Sequence, residues 1–200
     1  MLAGVSHDLR TPLTRMKLQI SLMKDEKAKS ELEVDVNEMT SMLDSYVSFV
    51  KTESPEPIET IIINELIGDI IKTVEKNDVE LNVKEKNTIQ TSGRQIQLKR
   101  AFNNIIDNSK RYAKKIEIIL YTNEKDCVIE FNDDGEGIPR DKYEDVFKPF
   151  FTLDPSRNKL KGESGLGLTI TRDIIRSHGG DVKLSDSNLG GLQLKVLLPL

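Results

Sequence analysis

The 200-residue sequence holds a single cysteine, Cys127, so it can form neither an internal disulfide nor a cysteine-rich zinc site, which suits a reducing compartment. No stretch approaches the ~20 consecutive apolar residues that span a bilayer. Its start, "MLAGVSHDLR", lacks the sustained apolar segment of a secretory signal. Basic blocks and arginine-rich stripes are missing too. With 29 Lys and Arg against 33 Asp and Glu, the net charge of −4 argues against nucleic acid as a partner, yet leaves room for a nucleotide held by local basic residues. Repeats and low-complexity tracts are absent. These absences lead to the expectation of a soluble cytosolic chain, long enough for one or two domains with real cores.

What is present changes character near residue 54. Leu2, Val5, Leu9, Leu13, Met16, Ile20 and Met23 recur at steps of three and four, as do Leu32, Val36, Met39, Leu43, Val47 and Val50. Each series is one face of a helix, and the polar "KDEKAKS" between them makes an antiparallel hairpin. Both stripes are too wide for two helices to cover, which predicts a four-helix bundle with a second copy. "TESPEP" (52–57) carries two prolines and reads as a linker. The chain is thus divided into a hairpin at 1–53, a linker at 54–58 and a mixed region at 59–200.

In that region "IIINELIGDIIKTVEK" has helical spacing with Asn64 as a possible cap, and "RQIQLKRAFNNIIDNSKRYA" and "GLTITRDIIRSHGG" are further helical segments. "VELNVKE", "TIQTSG", "KIEIILYT", "CVIEFND", "DVKLSD" and "GLQLKVLLPL" read as strands, mostly linked as hairpins. The expected class is α+β: one sheet with helices on one face. His178, before Gly179-Gly180, is expected to cap its helix C-terminus, and Cys127 to serve packing.

Four stretches carry chemistry. In "NDDGEGIP" (132–139), Gly135 and Gly137 allow a tight turn against a flat ligand, and Asp133 can accept from an exocyclic amine such as adenine N6; a packing turn would look the same. In "GESGLGL" (162–168), Gly165 and Gly167 would let backbone N–H groups approach phosphate at a helix start, although the GK[ST] ending of a P-loop is missing. Between them "FKPFFTLDPSRNKLKG" (147–162) is a long polar loop of lid type, with Arg157, Lys159 and Lys161 available to phosphate charge. In "NNIIDNSKRY" (103–112), Asn104 and Asn108 share a helix face. Their side-chain oxygens suit Mg²⁺, which needs only one or two protein ligands beside nucleotide phosphates, and Lys110 or Arg111 can reach a phosphate from the next turn.

An earlier stretch, "SHDLRTPLTRM" (6–16), places His7 beside Asp8 on a helix, on the side away from the apolar stripe. Neutral imidazole is a nucleophile at neutral pH, and Asp8 can orient it. Pro12 withdraws the N–H that the Asp8 carbonyl would accept, so a bend is expected, one that would let the bundle rearrange between two activity states.

Taken in order, the histidine hairpin, asparagine-rich helix, D-x-G-x-G turn, F-x-P-F segment and G-L-G-L loop resemble the catalytic core of a two-component sensor histidine kinase. "GVSHDLRTPLTRM" is most similar to the osmosensing, EnvZ-like subfamily. The resemblance covers nearly the whole chain. It implies a homodimeric phosphotransfer hairpin followed by an ATP-binding α/β sandwich of the Bergerat type. It also implies His7 as phospho-acceptor, Asp8 as its acid–base partner and Thr11 as the residue positioning water for dephosphorylation of the partner. Asn108 is implied as the Mg²⁺ ligand, with Asn104 beside it, Arg111 and Tyr112 near phosphate and nucleotide, and Asp133 on adenine. Gly135, Gly137, Gly165, Leu166 and Gly167 would shape the ATP pocket, with Phe147 and Phe150 supporting the lid. The partner implied is a response-regulator receiver domain of the OmpR type, and a membrane would be reached only through segments outside this chain, in a parent of the bacterial inner membrane. One departure stands out: Glu163 occupies the first glycine position of the G-x-G-L-G-L loop, which, with the short start before His7, keeps open a kinase-deficient remnant that docks or dephosphorylates the regulator.

Overall fold

The computed structural model describes residues 2–51, 56–73, 79–83, 88–153 and 165–200. The chain divides into two compact units, residues 1–55 with 148–166, and residues 56–147 with 167–200.

In the first unit, α1 (Leu2–Ser21) runs through Pro12 as a continuous helix and α2 (Glu26–Lys51) follows after a short turn. Local chemistry makes that turn. The N–H groups of Leu22 and Met23 donate to the carbonyls of Gln19 and Ile20, closing α1. Asp25 then accepts from the N–H groups of Lys27 and Ala28 through Oδ1, the pattern of an N-cap. Leu13, Ile20 and Val36 are buried together, with Met23 and Leu43 packed against them. Met16, Leu32 and Met39, members of the same stripes, stay exposed at 44%, 40% and 50%. A lone hairpin leaves them uncovered, as the width of the stripes predicts. The side chains of Leu2, Val5, Leu9, Val47 and Val50 lie outside the described residues.

The second unit departs from the single expected sheet. β1 (Glu59–Ile62) and β3 (Gln90–Gly93) form an antiparallel pair of their own, Glu59 opposite Gly93 and Ile62 opposite Gln90. The stretch "ETII" is thus a strand where helical spacing extends the helix back to Ile61. Thr60, Ile61 and Ile62 are β-branched, and the partner strand satisfies their backbone groups. α3 (Ile63–Thr73) begins immediately after. Asn64 does not cap it: its Oδ1 accepts from Ile89 N at 2.8 Å, while Ile63 N donates to the Ile89 carbonyl at 3.0 Å. The main sheet has the order β2 (Val79–Val83), β4 (Ile116–Thr122), β5 (Asp126–Asp133), β7 (Leu192–Pro199) and β6 (Asp181–Asp186), antiparallel except between β2 and β4.

Alternation along the strands decides which residues meet the helices. Ile116, Ile118 and Leu120 of β4, Cys127, Ile129 and Phe131 of β5, and Leu194, Val196 and Leu198 of β7 face one side and are buried. Against them packs α4 (Gln95–Tyr112), whose Leu98, Ala101, Phe102, Ile105 and Ile106 are at most 1% exposed. The rings of Phe102 and Phe131 lie 6.0 Å apart, fixing helix to sheet. Each of the buried Leu, Ile and Phe side chains contributes about 1.5–3 kcal/mol by leaving water. Cys127 is fully buried among them. α5 (Gly167–Ser177) packs beside α4.

The start of α4 is held by two distant side chains. Glu56 accepts from Ile96 N at 2.6 Å through Oε1 and from Gln97 N at 3.3 Å through Oε2. Arg94 N donates to His178 Nε2 at 2.9 Å, so His178 carries its proton on Nδ1, which lies 2.7 Å from the Ile174 carbonyl. His178 therefore does bond the end of its own helix, and it ties that end to α4 as well.

Candidate nucleotide site

Asp133 is the last residue of β5, on the same side as Cys127, Ile129 and Phe131, so the strand's alternation aims it at the helix layer. It is 5% exposed. Its Oδ1 accepts from Leu192 N at 2.9 Å and Gly135 N at 3.1 Å, and its carbonyl from Gly191 N at 3.1 Å. Among the described residues Oδ2 takes no hydrogen bond. One oxygen orients the carboxylate and the other is left to receive a donor, such as an exocyclic amine.

The glycines beside it are there for close approach. A Cβ on Gly135 would lie 2.8 Å from the Tyr112 carbonyl, so the turn sits flush against the end of α4. Gly137 has φ of 71°, the left-handed region that glycine adopts without strain. Gly191 and Leu192 were not among the residues expected at the site. The available signal was the Gly190-Gly191 doublet between two strands: a Cβ on Gly191 would collide with Asp133 Oδ1 and Gly135 N.

On α4, Asn104 and Asn108 form a half-buried stripe bordering the apolar one. Asn104 Nδ2 donates to the Gly167 carbonyl at 3.3 Å, which joins α4 to the start of α5 and leaves the amide oxygen as an acceptor. The Asn108 side chain has no hydrogen-bond partner among the described residues. No group of three His, Cys, Asp or Glu able to hold a metal exists among them either. A divalent cation here would rest on amide oxygens and on the phosphates of its nucleotide, a donor set that fits Mg²⁺. Arg111 and Tyr112, on the last turn, are exposed and both engage in interactions within the chain.

Phe147 is gripped within this unit. Thr169 Oγ1 donates to its carbonyl at 3.0 Å, and the Arg172 guanidinium, paired with Glu144 at 2.8 Å, lies 4.5 Å over its ring. The residues that follow, from Lys148, belong to the first unit. At the neck of that stretch Phe150 N donates to the Gly165 carbonyl at 3.1 Å, and both residues have positive φ, 64° and 62°. A Cβ on Gly165 would lie 2.9 Å from the Phe150 backbone, so only glycine closes the neck. Phe150 is half exposed and Leu166 is buried. Glu163, Arg157, Lys159 and Lys161 lie outside the described residues. So do the side chains of His7 and Asp8, whose backbone is part of α1; Thr11, one turn on, is exposed.

The structure thus brings together Asp133 with Gly135, Tyr112 with Gly135, Asn104 with Gly167, and Phe150 with Gly165. Residues 93–200 match the family of histidine kinase-, DNA gyrase B- and HSP90-like ATPases. The chain belongs to that family. Residues 1–54 match the His kinase A phospho-acceptor domain, and the two domains together make a sensor histidine kinase core that uses ATP. This kinase core is similar to the sensor histidine kinase GtrS of Pseudomonas aeruginosa, 32% identical over 201 residues. It is equally similar to the sensor histidine kinase CpxA of Escherichia coli, 32% identical over 212 residues. Both alignments cover the whole chain, which spans 41% of the first protein and 46% of the second. Among solved structures it shares the fold of the mycobacterial sensor histidine kinase MprB, with a TM-score of 0.62 at 24% identity over 72% of this chain and 97% of that one. Full-length ShkA in complex with AMPPNP matches over 100% of this chain and 46% of its own, with a TM-score of 0.69 at 16% identity. No described helix is long and apolar enough to cross a membrane.

Proposed function

We propose that this chain phosphorylates itself on His7 from ATP and passes the phosphoryl group to an aspartate of a response-regulator receiver domain. The observation that carries the reading is Asp133, tied through Oδ1 with Oδ2 left to a donor, beside a helix presenting two amide oxygens, in a chain that also matches a phospho-acceptor hairpin. A lone pair of the His7 ring attacks the γ-phosphorus, the bond to the bridging oxygen breaks, and ADP leaves with that electron pair. Asp8 orients the ring through its N–H and takes up the proton released. Asp133 holds adenine, Arg111 and Tyr112 meet phosphate and nucleotide, and Gly135, Gly137 and Gly167 shape the pocket. Asn108, with Asn104, would hold Mg²⁺, which neutralises charge on the phosphates. The aspartate of the regulator then attacks phosphorus and the P–N bond breaks.

Thr11 shares the face of His7 one helical turn away and is exposed, which supports a part in dephosphorylating the regulator. Exposed Met16, Leu32 and Met39 support closure of a four-helix bundle by a second copy. The domain division is a hairpin at 1–53, a linker at 54–58 and the ATP-binding domain at 59–200. An OmpR-type regulator, an osmosensing EnvZ-like role and a parent in the bacterial inner membrane complete the proposal; the share of the sensor relatives spanned leaves room for further segments.

The test is incubation with Mg²⁺ and γ-labelled ATP. Label on the wild type, stable to alkali, labile to acid and absent from His7→Gln, supports the reading. Nucleotide binding without label overturns it in favour of a remnant that docks the regulator.

A further inference from the structure

At the start of the glycine turn, the last ladder pair between β4 and β5 sets Ile116 opposite Asp133, and the next would set Lys115 opposite residue 134. Half of that pair is ordinary: Asp134 N donates to the Lys115 carbonyl at 3.2 Å. The other half is not. Lys115 N, at 2.8 Å, donates to the side-chain Oδ1 of Asp134, and Lys114 N reaches the same oxygen at 2.8 Å. The carboxylate stands in for a backbone carbonyl. The strand can therefore leave the ladder one residue early and turn at Gly135, while its pairing is completed.

The residues so held are the connection leaving α4. That helix ends at Tyr112 with Ala113 extended, so Lys114 and Lys115 lie directly after the turn carrying Arg111 and Tyr112. Gly135 also lies close to the Tyr112 carbonyl, 2.8 Å from where a Cβ would stand. One exposed side chain thus ties the end of the helix that carries Asn108 to the end of the strand that carries Asp133.

We propose that Asp134 is a positioning residue for nucleotide binding: it sets the spacing between the adenine acceptor Asp133 and the phosphate-side groups of α4 without touching the ligand. The proposal rests on the nucleotide reading above. The Lys115 and Lys114 N–H groups also hold the Asp134 carboxyl below the ordinary carboxylate value, as two charge-assisted bonds should. What the geometry requires is an acceptor at Oδ1, which an asparagine also supplies. The required spacing matters to a ligand that spans both ends, ATP, more than to adenosine, which reaches only the Asp133 end.

The full chain with Asp134→Asn and Asp134→Ala tests this by affinity for Mg-ATP and for adenosine, with amide exchange at Lys114 and Lys115 read alongside. D134N should bind both ligands like wild type and keep both amides protected. D134A should expose the two amides and weaken ATP binding by about tenfold or more, since small misplacements of binding groups carry large losses, with a much smaller loss for adenosine. Wild-type ATP affinity in D134A overturns the proposal. So do equal losses for the two ligands, which would mean general destabilisation, and a fall in D134N matching D134A, which would place the charge on the ligand itself. A wild-type chain that binds neither ligand overturns the nucleotide reading, and the proposal with it.

Discussion

Replacing Gly191 with alanine puts one methyl group where the structure has no room. Its Cβ would fall against Asp133 Oδ1 and Gly135 N, and 2.7 Å from the Asp133 carbonyl oxygen. Two of those atoms are backbone, so no side chain can swing aside; the β6–β7 turn or the glycine turn must shift by several tenths of an ångström. Crowding of this kind costs about 1–3 kcal/mol. For a chain of this size that lowers Tm by roughly 2–12 °C. The shift also strains the bond from Leu192 N that orients Asp133. Displacing Asp133, the proposed adenine acceptor, by a fraction of an ångström should weaken ATP binding by about tenfold or more. Gly190→Ala is the matched control: its Cβ would meet nothing within 4 Å, although its φ of 103° leaves it strained. Thermal unfolding and fluorescent-nucleotide titration of both variants give the answer. G190A should lose stability and keep its nucleotide affinity, whereas G191A should lose both. A G191A chain that binds ATP like wild type would refute the inference that the β6–β7 turn aligns Asp133.

Glu56→Ala removes the carboxylate from the first turn of α4 and should destabilise by about 1 kcal/mol, the usual worth of a cap, read by denaturant unfolding; Glu56→Gln should lose less. Gly68 sits inside α3 with nothing within 4 Å of a Cβ, so Gly68→Ala should raise stability by about 0.5–1 kcal/mol, and a fall in the same assay would show unseen crowding. The Asp134 carboxyl is depressed below its ordinary 3.8 by the Lys115 and Lys114 amides. Its contribution is therefore complete above that pH and lost as pH falls through the folded value, so D134N should unfold with a shallower acid dependence below about pH 4. Nitrogen NMR of His178 should show the neutral ring protonated on Nδ1 at pH 8, because Arg94 N–H already donates to Nε2; protonation on Nε2 would contradict the clamp on α4.

Periodicity alone determined much of this protein. Steps of three and four located both helices of the hairpin and the apolar face of α4, and alternation located β4, β5, β6 and β7. Asp133, Gly135, Asn104 and Asn108 stood out as candidates because backbone freedom and ligand chemistry restrict which residue types suit such a site. Tertiary structure decided what depends on contacts distant in sequence. "ETII" became a strand because β3 was present to pair with it, and Asn64 was drawn from capping to a bond with Ile89. Glu56 and His178 meet at the start of α4 from 38 residues before Arg94 and 84 after it, a meeting no local window contains. Gly191, Leu192 and Asp134 acquire their roles only when the sheet brings them to the end of β5. A local pattern reports which face a residue turns to its neighbours; only folding decides which neighbours are there to receive it.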